Sequence, residues 1–366
     1  LRGTPNQFVA TVEISSTFET LALANSLNED PRVAWAAPDF FTGITFNAIP
    51  DDPSFGSQWH LNNTGQTGGT VDADIDLPEA WDIETGSTTS IVVAILDNGV
   101  ELSNPDFNIF TNPGEIAGNG IDDDGNGWID DVNGWDFVND DNDPGPQAAA
   151  DNHGTAVAGV AAALGDNNIG GSGVSQNAVV LPVKIARDDL DNGGGFVPSS
   201  TLAEAIYYAA GRTADGLSTW KAADILNNSW GGGSSSTAIT NAFAWAQTNG
   251  RDGLGAISVA ASGNSAPSTT PVTYPASLSS TIAVGATTDT DVRSSFSQFG
   301  SNLDVVAPGS AIVTTDRSGS AGYTATNIAT LDGTSFAAPV VSGIAALMLA
   351  RNPNLTEVQV RTILRD

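Results

Sequence analysis

A chain of 366 residues, 40% of them hydrophobic, can bury a large core, either as one big domain with an appendage or as two modest ones. It has no cysteine, which excludes thiol nucleophiles, disulfides and thiolate zinc sites. Its 42 acids against 12 Lys and Arg give a formal charge of -30, which repels nucleic acid and anionic membranes and attracts cations.

Residues 1–46 read as a separable strand–helix–strand piece. Positions 8–13 alternate like a strand, 17–28 have helical spacing through Phe18, Leu21, Leu23 and Leu27, and 33–36 form a second short strand stopped by Pro38. No positively charged n-region followed by an apolar h-region is present at the start, so the chain is expected to begin inside a longer gene product or after processing. Residues 51–77 are turn-rich, with Gly65, Gly68 and Gly69. From there strands and helices alternate. Strands are predicted over 91–96, 179–185, 224–228, 256–261, 281–286 and 303–306, and helices over 154–164, 200–210, 236–249 and 335–350, with a last one from Thr356. No run reaches the roughly 18 apolar residues of a membrane span, and the longest, 340–350, reads as a buried helix. Strands that are apolar throughout are buried on both faces. With intervening helices they predict an α/β fold over 47–366, a doubly wound and mainly parallel sheet flanked by helices, its chemistry beyond the strands' carboxyl ends.

Only two histidines exist, His60 and His153. A lone histidine is more often structural than catalytic, but His153 has company. Asp97 ends the first apolar strand, a place where an acid is costly inside the sheet and natural at its rim. Ser335, in Gly333-Thr334-Ser335, stands at a helix N-terminus, where unpaired N–H groups and the dipole favour an oxyanion. Asn264, in Ser262-Gly263-Asn264, closes another strand at the same edge and offers an amide N–H to that oxyanion. Taken singly, these read as a strand-ending Asp, a Ser N-cap and a turn Asn; their order along the chain is far more specific than any one of them.

The segments VVAILDNGV, NHGTAVAGVAA, ASGN and GTSFAAPVVSGIAALM resemble the three triad motifs and the oxyanion segment of the subtilases, serine peptidases of the Asp–His–Ser chain order. The resemblance runs from about Pro50 to the C-terminus. The segment DPSFGSQWHLNNTGQ leans towards bacterial, kexin-like, calcium-dependent members. Two departures stand out: Asn98 where Thr is usual, and Ala156 where His is common. The resemblance implies a secreted or periplasmic serine endopeptidase, with Ser335 as nucleophile, His153 as base, Asp97 orienting it and Asn264 binding the oxyanion. It also implies that Asn228, Ser229, Trp230 and Gly231 on one side, and Gly195, Phe196 and Val197 on the other, pair with an extended peptide substrate. The resemblance further implies that Thr273 lies at the base of the primary pocket. A neutral Thr favours uncharged side chains, whereas Asp188, Asp189 and Asp191 nearby favour basic ones; both readings stand. A monomer is expected. The alternative is a catalytically silent, calcium-binding relative, which loss of a triad member would mark; none is lost. An α/β-hydrolase esterase would need Gly at Ala337 and the serine first in chain order.

The stretch Asp122, Asp124, Asn126, Trp128, Asp130 and Asp131 carries oxygen ligands at alternate positions about Gly125, a spacing that lets one loop wrap Ca2+. It departs from an EF-hand, since Asn133 stands where the bidentate Glu would be. The family resemblance implies a second Ca2+ site at Asp52, Asp106, Asn167 and the carbonyls of Ile169 and Gly171. It also likens residues 1–46 to the back half of a subtilase propeptide, either the chain's own inhibitory segment or a retained brace.

Overall fold

Strand β1 (Val92–Asp97) is buried at every position. Its alternate side chains enter different cores, Val93 and Ile95 one of them and Val92, Ala94 and Leu96 the other. A strand between two cores has no polar face, which is why its sequence shows no alternation. The computed structural model describes residues 17–34, 36, 49–187, 195–268 and 270–366, with the backbone alone over 17–22. By contact the chain divides into two compact units, Leu1–Phe46 and Asn47–Asp366.

After β1 come β2 (Asn108–Ile109), β3 (Trp135–Asp136), β4 (Val179–Lys184), β5 (Ala186–Arg187) and β6 (Gly195–Phe196). Then follow β7 (Ile225–Asn228), β8 (Ile257–Ala261), β9 (Ile282–Thr287), β10 (Val305–Pro308), β11 (Ile312–Thr315) and β12 (Ile328–Leu331). The main sheet has the order β10-β9-β8-β7-β1-β4-β2, with β3 also on β4, and its pairs are parallel. The chain builds from β1 out to β4, then crosses back to β7 and continues the other way. That reversal opens a crevice at the carboxyl ends of β1 and β7. The pairs β5–β6 and β11–β12 are antiparallel ribbons.

In the first unit, helix α1 (Thr17–Asn28) forms where the spacing predicts it. The second strand expected over 33–36 is not formed at the described residues 33, 34 and 36. Local bonds use that backbone instead. Val33 N–H donates to Asp30 O at 2.9 Å, and the Asn28 side chain bonds both N–H and C=O of Ala36. The strand expected over 8–13 lies outside the described residues.

In the second unit come α2 (Leu77–Trp81), α3 (His153–Ala162), α4 (Ser199–Ala209), α5 (Thr237–Asn249), α6 (Thr334–Arg351) and α7 (Glu357–Arg365). Helices α3 and α6 close the core that takes Ile225, Val259 and Val284, and α4 and α5 close the one that takes Leu181 and Leu226. Helix α6 is longer than the apolar run predicted for it, long and apolar enough to cross a membrane by length and composition, yet it is mostly buried within the fold. It is a core helix packed on the sheet beside α3. The fold is the doubly wound α/β arrangement expected. Unforeseen were α2, the short strands β2 and β3, and the two ribbons, whose residues are few or half-exposed.

Candidate active site

Asp97 is the last residue of β1, and Asn98-Gly99 turns the chain away from the sheet. Asn98 N–H donates to Asp97 Oδ1 at 2.8 Å, and Asn98 Oδ1 accepts from Gly154 N–H at 2.8 Å. One side chain therefore satisfies an orphan donor in the first turn of α3 and ties that turn to the strand end. The turn lies so close that a Cβ on Gly154 would overlap Gly99 O, with Asp97 Cβ only 3.0 Å away. This brings His153, the first residue of α3, onto Asp97. Its Nδ1 lies 2.9 and 3.0 Å from the two carboxylate oxygens. Asp97 is 6% exposed and His153 23%, so the carboxylate is sheltered while the ring keeps an open edge.

Gly333 precedes α6 with φ 153° and ψ 153°, a region essentially open only to glycine. Ser335 then sits in the first turn of α6. The Phe336 ring lies 5.6 Å from the His153 ring, centroid to centroid, which sets the start of α6 beside α3. Ser335 Oγ donates to Ser229 O at 3.1 Å, and Ser229 Oγ donates to Ser335 O at 2.7 Å, locking α6 to the end of β7. Asn264 Oδ1 accepts from Thr334 N–H at 2.9 Å and from Thr334 Oγ1 at 2.8 Å. With the oxygen held there, the amide Nδ2 is turned to the Gly333 side, 3.5 Å from where a Cβ on Gly333 would stand. Thr334, which sequence reasoning passed over, thus orients the candidate oxyanion donor; its only signal was its place beside Ser335.

Asp97, His153, Asn264 and Ser335 all line one cleft of about 340 Å³. Phe196, Ser229, Trp230, Gly231 and Thr273 line it too, with the Phe196 ring 5.7 Å from Trp230. Asn228, Gly195 and Val197 do not. Asn228 is fully buried, its amide donating to Leu226 O and Val259 O, so it braces β7. Thr273 Oγ1 donates to Ser262 O at 3.0 Å. Asp97 is the only acid among the described residues of the cleft wall. Asp188, Asp189 and Asp191 lie outside the described residues.

In the acidic stretch 122–131 the expected ligands divide between local turns and a carboxylate cluster. Asp122 accepts from Asn126 and Gly127 N–H, and Asp130 from Asn119 and Gly120 N–H, so both carboxylates serve turns. Asn126 Oδ1 accepts from Trp128 N–H. The oxygens that converge belong to Asp124, Asp131 and the unforeseen Glu115, all within 4.8 Å of one another. Asp131 is fully buried, and burial pushes its carboxyl up to about 7 despite bonds from Tyr208, Asn126 and Asn112. Three converging carboxylates, one desolvated, fit a hard cation. Glu115 lay too far back in the chain to be read with the loop.

The second expected set also comes together. Asp106 Oδ1 accepts from Asn167 Nδ2 at 3.0 Å, and Asp52 accepts from the N–H groups of Asp166 and Asn167. Burial pushes Asp106 up to about 6. Gly171 and Ile169 flank Gly170, which packs so closely on Asp106 that a Cβ there would overlap Oδ2.

The family model described as the subtilase family matches residues 88–366. Over 360 residues the chain is 35% identical to an extracellular protease of Xanthomonas campestris pv. campestris, covering 95% of this chain and 57% of that one. It is 35% identical over 312 residues to thermitase of Thermoactinomyces vulgaris, 85% and 88% covered, and 32% identical over 332 residues to a calcium-dependent protease of Nostoc, 85% and 46% covered. The chain thus spans about half the length of two of these relatives. A solved protease structure from Pseudoalteromonas arctica is similar with TM-score 0.67 at 30% identity, covering 87% of this chain and 92% of that one. The kexin-like leaning expected from the sequence finds no support among these bacterial proteases. A site of Asp, His and Ser at the rim of this sheet, in a chain so matched, makes it a member of the subtilase family, a serine endopeptidase domain of the subtilisin kind.

Proposed function

We propose that this chain cuts internal peptide bonds of extended protein substrates through an acyl-enzyme, with Asp97, His153 and Ser335 as the triad. Ser335 Oγ attacks the scissile carbonyl as His153 takes its proton, and His153 then protonates the leaving amine. Asp97, bonded to Nδ1, holds the ring's tautomer and stabilises its cation. The oxyanion is bound by Asn264 Nδ2 and the Ser335 N–H at the start of α6. The observation that carries this reading is the single cleft in which the Asp97–His153 pair faces Ser335 and Asn264. Ser335→Ala is expected to abolish casein hydrolysis with an unchanged circular dichroism spectrum; a variant that still cuts removes the assignment.

Substrate would lie between Phe196 and the segment Ser229–Trp230–Gly231 as an added strand. The pocket beside Thr273 favours an uncharged side chain, in keeping with a cleft whose described walls carry no acid besides Asp97. The reading includes stabilisation by Ca2+, held by Glu115, Asp124 and Asp131 and by Asp52, Asp106 and Asn167; the calcium-dependent Nostoc relative supports it. It also includes secretion, supported by the extracellular Xanthomonas relative. Residues 1–46 are read as a propeptide-like segment, inhibitory or bracing.

A further inference from the structure

Gln298 lies at the wall of the cleft, yet none of its surface is exposed. A buried amide is costly unless both its ends are bonded, and here they are. Oε1 accepts from Ser265 N–H at 3.2 Å, and Nε2 donates to Pro271 O at 2.6 Å. The main chain of Gln298 is used as well. Its N–H donates to Gly263 O at 2.9 Å, and its carbonyl accepts from Ser262 Oγ at 3.0 Å. One residue therefore holds Ser262 and Gly263 on one side of Asn264 and Ser265 on the other. Gly263, at φ 109°, lies so close that any side chain there would overlap Gln298 Oε1. The opposite side of this loop is held by Thr334, which accepts from Gly263 N–H at 3.1 Å and bonds Asn264 Oδ1. The loop is clamped between Thr334 and Gln298, and Gln298 adds a tie to Pro271, two residues from Thr273, which itself bonds Ser262 O.

From this clamp we infer that Gln298 is a positioning residue for the oxyanion donor, fixing the main chain on both sides of Asn264 and tying that loop to the wall of the primary pocket. The inference rests on Asn264 being the donor. A donor stabilises a developing charge only if it is already in place, and a displacement of about 1 Å costs up to roughly a hundredfold in rate. Gln298 has no contact of its own with the reacting atoms; it acts through Asn264.

The test is a double-mutant cycle on a chromogenic peptide amide, with kcat and KM measured and folding followed by near-ultraviolet circular dichroism. Gln298→Met keeps the volume and removes both side-chain bonds; Gln298→Ala is the harsher companion. Gln298→Met is expected to lower kcat roughly 10- to 100-fold with KM within about twofold. Asn264→Ala alone is expected to lower kcat by about a hundredfold or more. Adding Gln298→Met to Asn264→Ala should then slow the enzyme by less than about twofold, because the positioned group is already gone. If the two losses multiply, or if Gln298→Met turns over like the parent, the positioning role is overturned while the role of Asn264 stands. If Asn264→Ala alone leaves kcat unchanged, the oxyanion reading falls and this inference falls with it.

Discussion

His60 is fully buried, packs edge-on against Trp59, and has no hydrogen-bond partner for either ring nitrogen among the described residues. Desolvation lowers its pKa from 6.5 to about 3. Below pH 6.5 the unfolded chain takes up a proton that the native ring refuses, so stability falls as pH drops from about 6.5 towards 3. At about 1.4 kcal/mol per pH unit, that is on the order of 4–5 kcal/mol across the window. His60→Leu should therefore flatten the fall in urea midpoint between pH 6.5 and 4; equal falls in variant and parent would count against it. A histidine in Gln58-Trp59-His60-Leu61 and one in Asn152-His153-Gly154 look alike as letters. What separated them in the sequence was the company His153 keeps with Asp97 and Ser335. What the letters could not give is the side chain's second partner. Asn98 was read as a departure from the family pattern, yet its side chain accepts from α3 while its main-chain N–H donates to Asp97. Asn98→Ala should cost about 1–2 kcal/mol, since the Gly154 N–H would lose its buried partner; an unchanged denaturation midpoint would refute this.

Strands β1, β4, β8 and β9 were legible because each is a largely apolar run of strand length buried in the sheet, and α3 and α6 because they are rich in small apolar residues. Ribbon β11–β12 was not, since a two-stranded piece with one face in water carries only a weak, mixed pattern. Also invisible was how β4 supports the site. Lys184, opposite Asp97 in the pairing of β1 and β4, is fully buried. Its Nζ lies 3.3 Å from Asp136 and 3.7 Å from Asp151, both fully buried, and donates to Gly145 O at 3.2 Å. Burial raises the Asp136 carboxyl, and Lys184 pulls it back down. This network pins β3 and the approach to α3 onto β4. Lys184→Met would strand two buried carboxylates, and a loss of about 3–5 kcal/mol is expected from denaturant unfolding. A loss under 1 kcal/mol would show that the network is not needed to hold these elements.

For the molecule as a whole, a charge of -30 makes self-repulsion a standing cost, greatest where acids crowd. Bound cations at the Glu115–Asp124–Asp131 cluster would offset it. A chelator should therefore lower the melting temperature by several degrees, because a ligand held only by the native state stabilises it. Glu115→Gln should shrink that drop, whereas a melt indifferent to chelator would remove calcium from the account. Acid crowding pointed in the sequence to a cation; which carboxylates meet was set by folding. The site is also spread along the chain, with Asp97 and His153 early, Asn264 later, and Ser335 on α6, which threads the core against β7, β8 and β9. A chain still emerging from the ribosome therefore carries the proposed base and its acid long before the hydroxyl proposed as nucleophile, and lacks the helix that carries it. Synthesis itself acts as a safety catch: cutting power arrives only once α6 has been made and has packed against β7, β8 and β9.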